Sequence, residues 1–125
     1  MTVTDLIHTY PWLESTPICD GLLPWSSSYL PVDADLGTQL ARFKKNGFGH
    51  LSLTLAGGQE TAEDALARLS PIAAECRYSG ILVAHTEKAI REAFEKKQLS
   101  VSFHFQTSTP FARSLDMVDA FFMAG

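Results

Sequence analysis

The chain has 125 residues and a mass of 13.7 kDa, which suits one domain with a real hydrophobic core and excludes two. Hydrophobic residues make up 46% and charged residues 19%, a balance that excludes intrinsic disorder. A net charge of −4 gives no electrostatic footprint for nucleic acid, and two cysteines are too few for a disulfide scaffold. No apolar run approaches the ~18 residues of a membrane span. The first five residues lack the basic and apolar blocks of a signal peptide. A cytoplasmic protein is the expectation.

The first 31 residues read as irregular, punctuated by Pro11, Pro17, Pro24 and Pro31. Leu6, Ile7, Tyr10, Trp12 and Leu13 suggest a short apolar turn within them. Residues 17–21 read as a short strand ending in a turn. Residues 33–47 read as a helix, with Leu36, Leu40 and Phe43 on one stripe and Asp33 or Asp35 as its cap. Gly47 suits its left-handed stop.

Residues 50–56 alternate. Leu51, Leu53 and Leu55 share one face; His50, Ser52 and Thr54 share the other, which is a strand pattern. Gly57 and Gly58 break it and read as a turn, because the glycine fingerprint and lysine of a phosphate-binding loop are absent. A helix over 61–77 follows, with Leu66, Leu69, Ile72 and Cys76 inward and Pro71 expected to kink or split it. Residues 81–84 read as a strand or an extended connector. Thr86 caps a third helix over 87–97, anchored by Ile90 and Phe94. Residues 99–106 alternate again, Leu99, Val101, Phe103 and Phe105 against Ser100, Ser102, His104 and Gln106. A last helix is expected over 114–124, with Leu115, Val118 and Phe122 inward.

Strand and helix therefore alternate, which argues an α/β fold with a parallel sheet. In an open doubly wound sheet both faces are covered and central strands are apolar on both sides. The Ser, Ser, His, Gln face departs from that. In a (β/α)8 barrel such a face lines the lumen, with His104 and Gln106 near the C-terminal rim where active sites are built. An edge strand with one wetted face in a small open doubly wound domain is the alternative.

Three stretches together resemble the membrane (renal) dipeptidase family of the amidohydrolase superfamily. They are residues 19–25 (CDGLLPW), 100–110 (SVSFHFQTSTP) and 114–125 (SLDMVDAFFMAG). Residues 86–97 also look like the family's helix before its third barrel strand. The resemblance runs from about Ile18 to Gly125. It implies that residues 1–125 are a single partial domain, the N-terminal part of a (β/α)8 barrel hydrolase of typically about 250 residues. It further implies zinc-dependent cleavage of small dipeptides in a full-length parent, with this chain alone an inactive fragment.

The pattern also departs from the family. The His-x-Asp ligand pair is missing from the frame around Asp20, Gly21, Leu22, Leu23 and Pro24. Gln106 stands where the family carries a metal-bridging Glu. The zinc implied by the resemblance thus lacks its usual ligands here, and no catalytic residue is named. The residues expected near a substrate or metal are Asp20, His104 and Gln106. Asp20 could orient a substrate amine or a metal-bound water, or form an Asx turn. His104 and Gln106 can reach one site, or pair as a satisfied lumen hydrogen bond. His50 belongs at the opposite, structural end of the strand, and Cys19 reads as a buried structural thiol. His8 and His85 read as structural or solvated. Two further readings remain: a non-catalytic α/β binding or regulatory module, and a homo-oligomer that closes a half barrel.

Overall fold

A computed structural model describes residues 3–25 and 34–124. The expectations at Pro31 and Asp33 lie outside them. Helix α1 (Val3–Thr9) and a 3-10 turn (Pro11–Glu14) open the chain, so the leader is helical where proline punctuation suggested irregular backbone. Pro11 sits at the start of its turn, where a missing backbone donor costs nothing. Strand β1 (Ile18–Leu23) runs two residues further than expected.

Helix α2 (Leu36–Lys45) begins at Asp35, whose carboxylate accepts from the Thr38 N–H. It turns out through Gly47, whose φ is +84°. Strand β2 (Phe48–Ala56) leads through Gly57 and Gly58 into α3 (Ala62–Tyr78). A capping box joins Thr61 and Asp64 at the α3 start, as the short polar side chain followed by an acid demands. Thr61→Ala should cost about 1 kcal/mol in urea unfolding.

Strand β3 (Leu82–Val83) is a two-residue stub. Helix α4 (Glu87–Glu95) carries it into β4 (Ser100–Phe105). A 3-10 turn (Thr109–Phe111) then precedes α5 (Asp116–Ala124).

All strand pairs are parallel and the order is β1-β2-β4-β3. The three longer strands are therefore neighbours in chain order, with the stub on the far side of β4. Leu51, Leu53, Leu55 and Val101 meet Leu36 and Leu40 of α2 and Ala65, Ile72 and Cys76 of α3 in one core. Trp25 and Phe43 pack against that core. Gly49 is a place where only glycine fits comfortably. A Cβ there would lie 3.0 Å from the Phe94 ring of α4 and 3.0 Å from Pro17.

Four expectations need correction. Helix α3 runs through Pro71 as one helix. Pro71 and Ala67, whose carbonyl loses its partner, are both exposed, so water can replace the bond. Leu66 is 47% exposed, and Ala65 takes the inward place one position earlier. Leu115 (81% exposed), just before α5, and Phe122 (80%) within it point outward, and Val118 is also exposed. Phe121 packs inward instead, its ring 4.8 Å from Phe105 and 6.0 Å from Phe111. An edge-to-face aromatic cluster thus sets the helix rotation.

The fourth concerns the thiols. Cys19 is exposed, because β1 is an edge strand, whereas Cys76 is buried in the core. Burial pushes the Cys76 thiol up to about 11. A thiol reagent at neutral pH should therefore modify Cys19 in the folded protein and Cys76 only after denaturation. Equal rates at both would contradict this packing.

Candidate functional site

The sheet face opposite the leucines is polar, and its side chains bond across the strands. The β2–β4 register sets His50 beside Ser100, Ser52 beside Ser102 and Thr54 beside His104. Paired residues of parallel strands share a face, so the two alternating polar sets meet.

His50 bridges two hydroxyls of β4, with Nδ1 2.9 Å from Ser100 Oγ and Nε2 3.0 Å from Ser102 Oγ. His104 mirrors this from β4. Its Nδ1 is 2.9 Å from Ser52 Oγ and its Nε2 2.9 Å from Thr54 Oγ1. Gln106 Nε2 donates to Thr54 Oγ1 at 2.8 Å, and Thr54 Oγ1 donates to the Leu23 carbonyl of β1 at 3.3 Å. The hydroxyl of Ser100 donates to the Gly49 carbonyl at 3.2 Å. Among the described residues, no buried side-chain nitrogen or oxygen lacks a partner.

Electrostatics separate the two rings. His50 is 7% exposed, and burial holds its pKa below the ordinary histidine value. Burial lowers His104 as well, and the negative charge of Asp20 pulls partly the other way. Asp20 also turns the end of β1, its Oδ1 accepting from the Leu22 N–H at 3.0 Å. The structure thus joins two of the three predicted residues, since His104 and Gln106 share Thr54; Asp20 stands in register with Leu51, and only its charge reaches His104.

The sequence reading assigned no partner to Ser52 and Thr54 and did not join His50 to Ser100 and Ser102. A signal was present. The polar sets at 50, 52, 54 and at 100, 102, 104 have equal spacing, and an in-register pairing would align them.

The connections after β2 and β4 are tied down beside this face. Arg68 pairs with Glu60 and donates to the Leu55 carbonyl at 2.7 Å. Glu60 accepts from the Gly57 N–H at 2.8 Å, and Arg68 holds its carboxyl below the usual range. Thr109 Oγ1 reaches the Gly58 carbonyl at 2.9 Å. His8 and His85 are both exposed.

A catalytic zinc requires about three protein ligands and an open position. Among the described residues no group of three His, Cys, Asp or Glu side chains could hold a metal ion. Both ring nitrogens of each ladder histidine are occupied by hydroxyls. The donor set does not fit the zinc that the dipeptidase resemblance implies. Among the described residues, no helix is long and apolar enough to cross a membrane.

Neither a protein-family profile nor a curated protein matches the sequence. Among solved structures, an amidohydrolase from Pseudomonas aeruginosa matches the fold with a TM-score of 0.74 at 16% sequence identity. The match covers 100% of this chain and 34% of that one. The chain therefore has the α/β fold of part of an amidohydrolase and spans about a third of that protein's length.

Proposed function

We propose that this chain is the N-terminal strand–helix portion of a dipeptidase-like amidohydrolase that hydrolyses the amide bond of small dipeptides. The observation that carries the reading is the polar sheet face, which gathers Thr54, His104 and Gln106 near the carboxyl ends of β2 and β4. Parallel α/β folds place their ligands at those ends. Fold alone does not carry the chemistry, so the assignment rests on what these side chains can do.

His104 is held neutral and half-buried, with its ring fixed at both nitrogens. It is suited to hold the Ser52 and Thr54 hydroxyls in place for a substrate. The charge of Asp20 reaches the ring, and Gln106 fixes Thr54. Activation of the attacking water is not assigned to these residues. The parent is proposed to be cytoplasmic, with a small dipeptide-like substrate and no nucleic-acid partner. The exposed apolar residues of α5 suit packing against further protein, whether more of the same chain or a second copy.

The test is to isolate the native polypeptide from its source, measure its intact mass, and assay amino-acid release from dipeptides. A mass well above 13.7 kDa together with hydrolysis is the expected result. A mass of 13.7 kDa without hydrolysis would overturn the proposal and favour a small binding module, whose polar face is satisfied internally.

A further inference from the structure

The ladder has three rungs: His50 with Ser100, Ser52 with Ser102, and Thr54 with His104. Its protons can be placed one by one. Thr54 Oγ1 has one proton, which goes to the Leu23 carbonyl, and it accepts from Gln106. The contact with His104 Nε2 is then a donation from the ring. A neutral ring carries one N–H, so His104 Nδ1 is a lone pair and Ser52 donates to it. At the other end Ser100 donates to the Gly49 carbonyl, so His50 Nδ1–H donates to Ser100 and Ser102 donates to His50 Nε2. The two rings carry opposite tautomers.

The middle rung is left with a distinct character. Ser52 of β2 gives its proton to His104 of β4, and Ser102 of β4 gives its proton to His50 of β2. Both serines are half-buried. Among the described residues no donor reaches either oxygen, and no carboxylate is bonded to the rung. Two oxygens in register therefore stand side by side on one face with lone pairs only. The rings on either side are neutral, because burial opposes their charge. An anion would meet lone pairs here, and a cation would find no bonded counter-charge to offset its lost water. A neutral N–H meets neither obstacle.

We infer that Ser52 and Ser102 together accept the N–H of a neutral amide. The inference rests on the dipeptidase reading and deepens it, because that amide would be the peptide group of the substrate. It also sets a specificity: a dipeptide ending in proline has no peptide N–H and should be a poor ligand.

The test is ring-nitrogen NMR of the native polypeptide, whole and labelled in histidine, at neutral pH. It is titrated with N-acetylglycinamide and, separately, with the fully N-methylated analogue, which keeps both carbonyls and has no N–H. The free protein should show His104 as the Nε2–H tautomer and His50 as the Nδ1–H tautomer. N-acetylglycinamide should shift both ring signals saturably, and the methylated probe should bind at least tenfold more weakly. Ser52→Thr keeps the hydroxyl and should keep the response, whereas Ser52→Ala should weaken it at least tenfold. Should Ser52→Ala not fold, the two probes on the unsubstituted protein still decide.

The opposite tautomer at either ring, an equal response to both probes, no response, or an unchanged response in Ser52→Ala would each overturn the inference. Dipeptide hydrolysis by the native polypeptide with no amide response would sink this inference and leave the dipeptidase reading standing. An amide response without hydrolysis would do the reverse.

Discussion

Acidification should destabilise this protein in a window set by its two ladder histidines. Both have folded pKa values below the ordinary 6.5 because burial opposes their charge. The unfolded chain then binds protons before the folded one, so stability is fully present above about pH 6.5 and falls as the pH drops below it. Each histidine can contribute a slope of at most about 1.4 kcal/mol per pH unit until its folded pKa is reached. At His104 the charge of Asp20 partly opposes the effect of burial.

Urea midpoints between about pH 7.5 and 5 would measure this, and His50→Gln should flatten the curve. A flat wild-type curve would mean that the rings charge freely in the fold. A second decline belongs at lower pH. Asp35 is lowered chiefly by its bonds to Thr38, Asp64 by its bonds to Thr61, and Glu60 chiefly by Arg68. These groups contribute stability above the ordinary carboxylate values that is lost as they protonate.

Leu53→Ala should be the most damaging simple truncation. The side chain is fully buried between β4 and the helices of the core. Losing its methyl groups and leaving a cavity costs about 3 kcal/mol, within a usual range of 2–5. Against a total of about 5–15 kcal/mol, that is a large share. Leu115→Ala, at a residue 81% exposed, should change stability by less than about 0.5 kcal/mol. Chemical unfolding of both variants would check the contrast. Comparable losses would mean that α5 buries a face assigned here to the outside.

The strands were legible because a period of two is hard to mistake. Leu51, Leu53 and Leu55 faced one way in the sequence and do so in the fold. Helix α2 was legible for a similar reason, with Leu36 and Leu40 one turn apart and both buried. The faces of α3 and α5 were not. In α5, Val118, Phe121, Phe122 and Met123, with Leu115 just before them, nearly encircle the helix, so hydrophobicity alone could not choose a side. The rings of Phe105 and Phe111, from other parts of the chain, choose Phe121. Pro71 misled because helix propensity is local, whereas the cost of a lost bond depends on whether water reaches the freed carbonyl.

The candidate site divides along the same line. His104 and Gln106 were legible from their place at the end of an alternating strand. The ladder itself was not, because it depends on which residue of β2 stands beside which residue of β4, fixed by a pairing across about fifty positions. The missing metal ligands around Asp20 were visible as a departure from a pattern. That the ladder histidines have no ring nitrogen to spare required coordinates.

The strand order also governs how the sheet can assemble. Among the described residues β3 pairs only with β4, and β4 stands between β3 and β2. A chain that has made everything through Val83 holds a stub with no neighbour to join. The sheet must wait for β4, which lies 18 positions from its partner in β3 (Leu82 to Ser100) and 50 from its partner in β2 (His50 to Ser100), so the longer closure is the one that joins β4 to β2. Folding should therefore be limited by that single insertion, and β4, rather than the longer β2, acts as the keystone of the sheet.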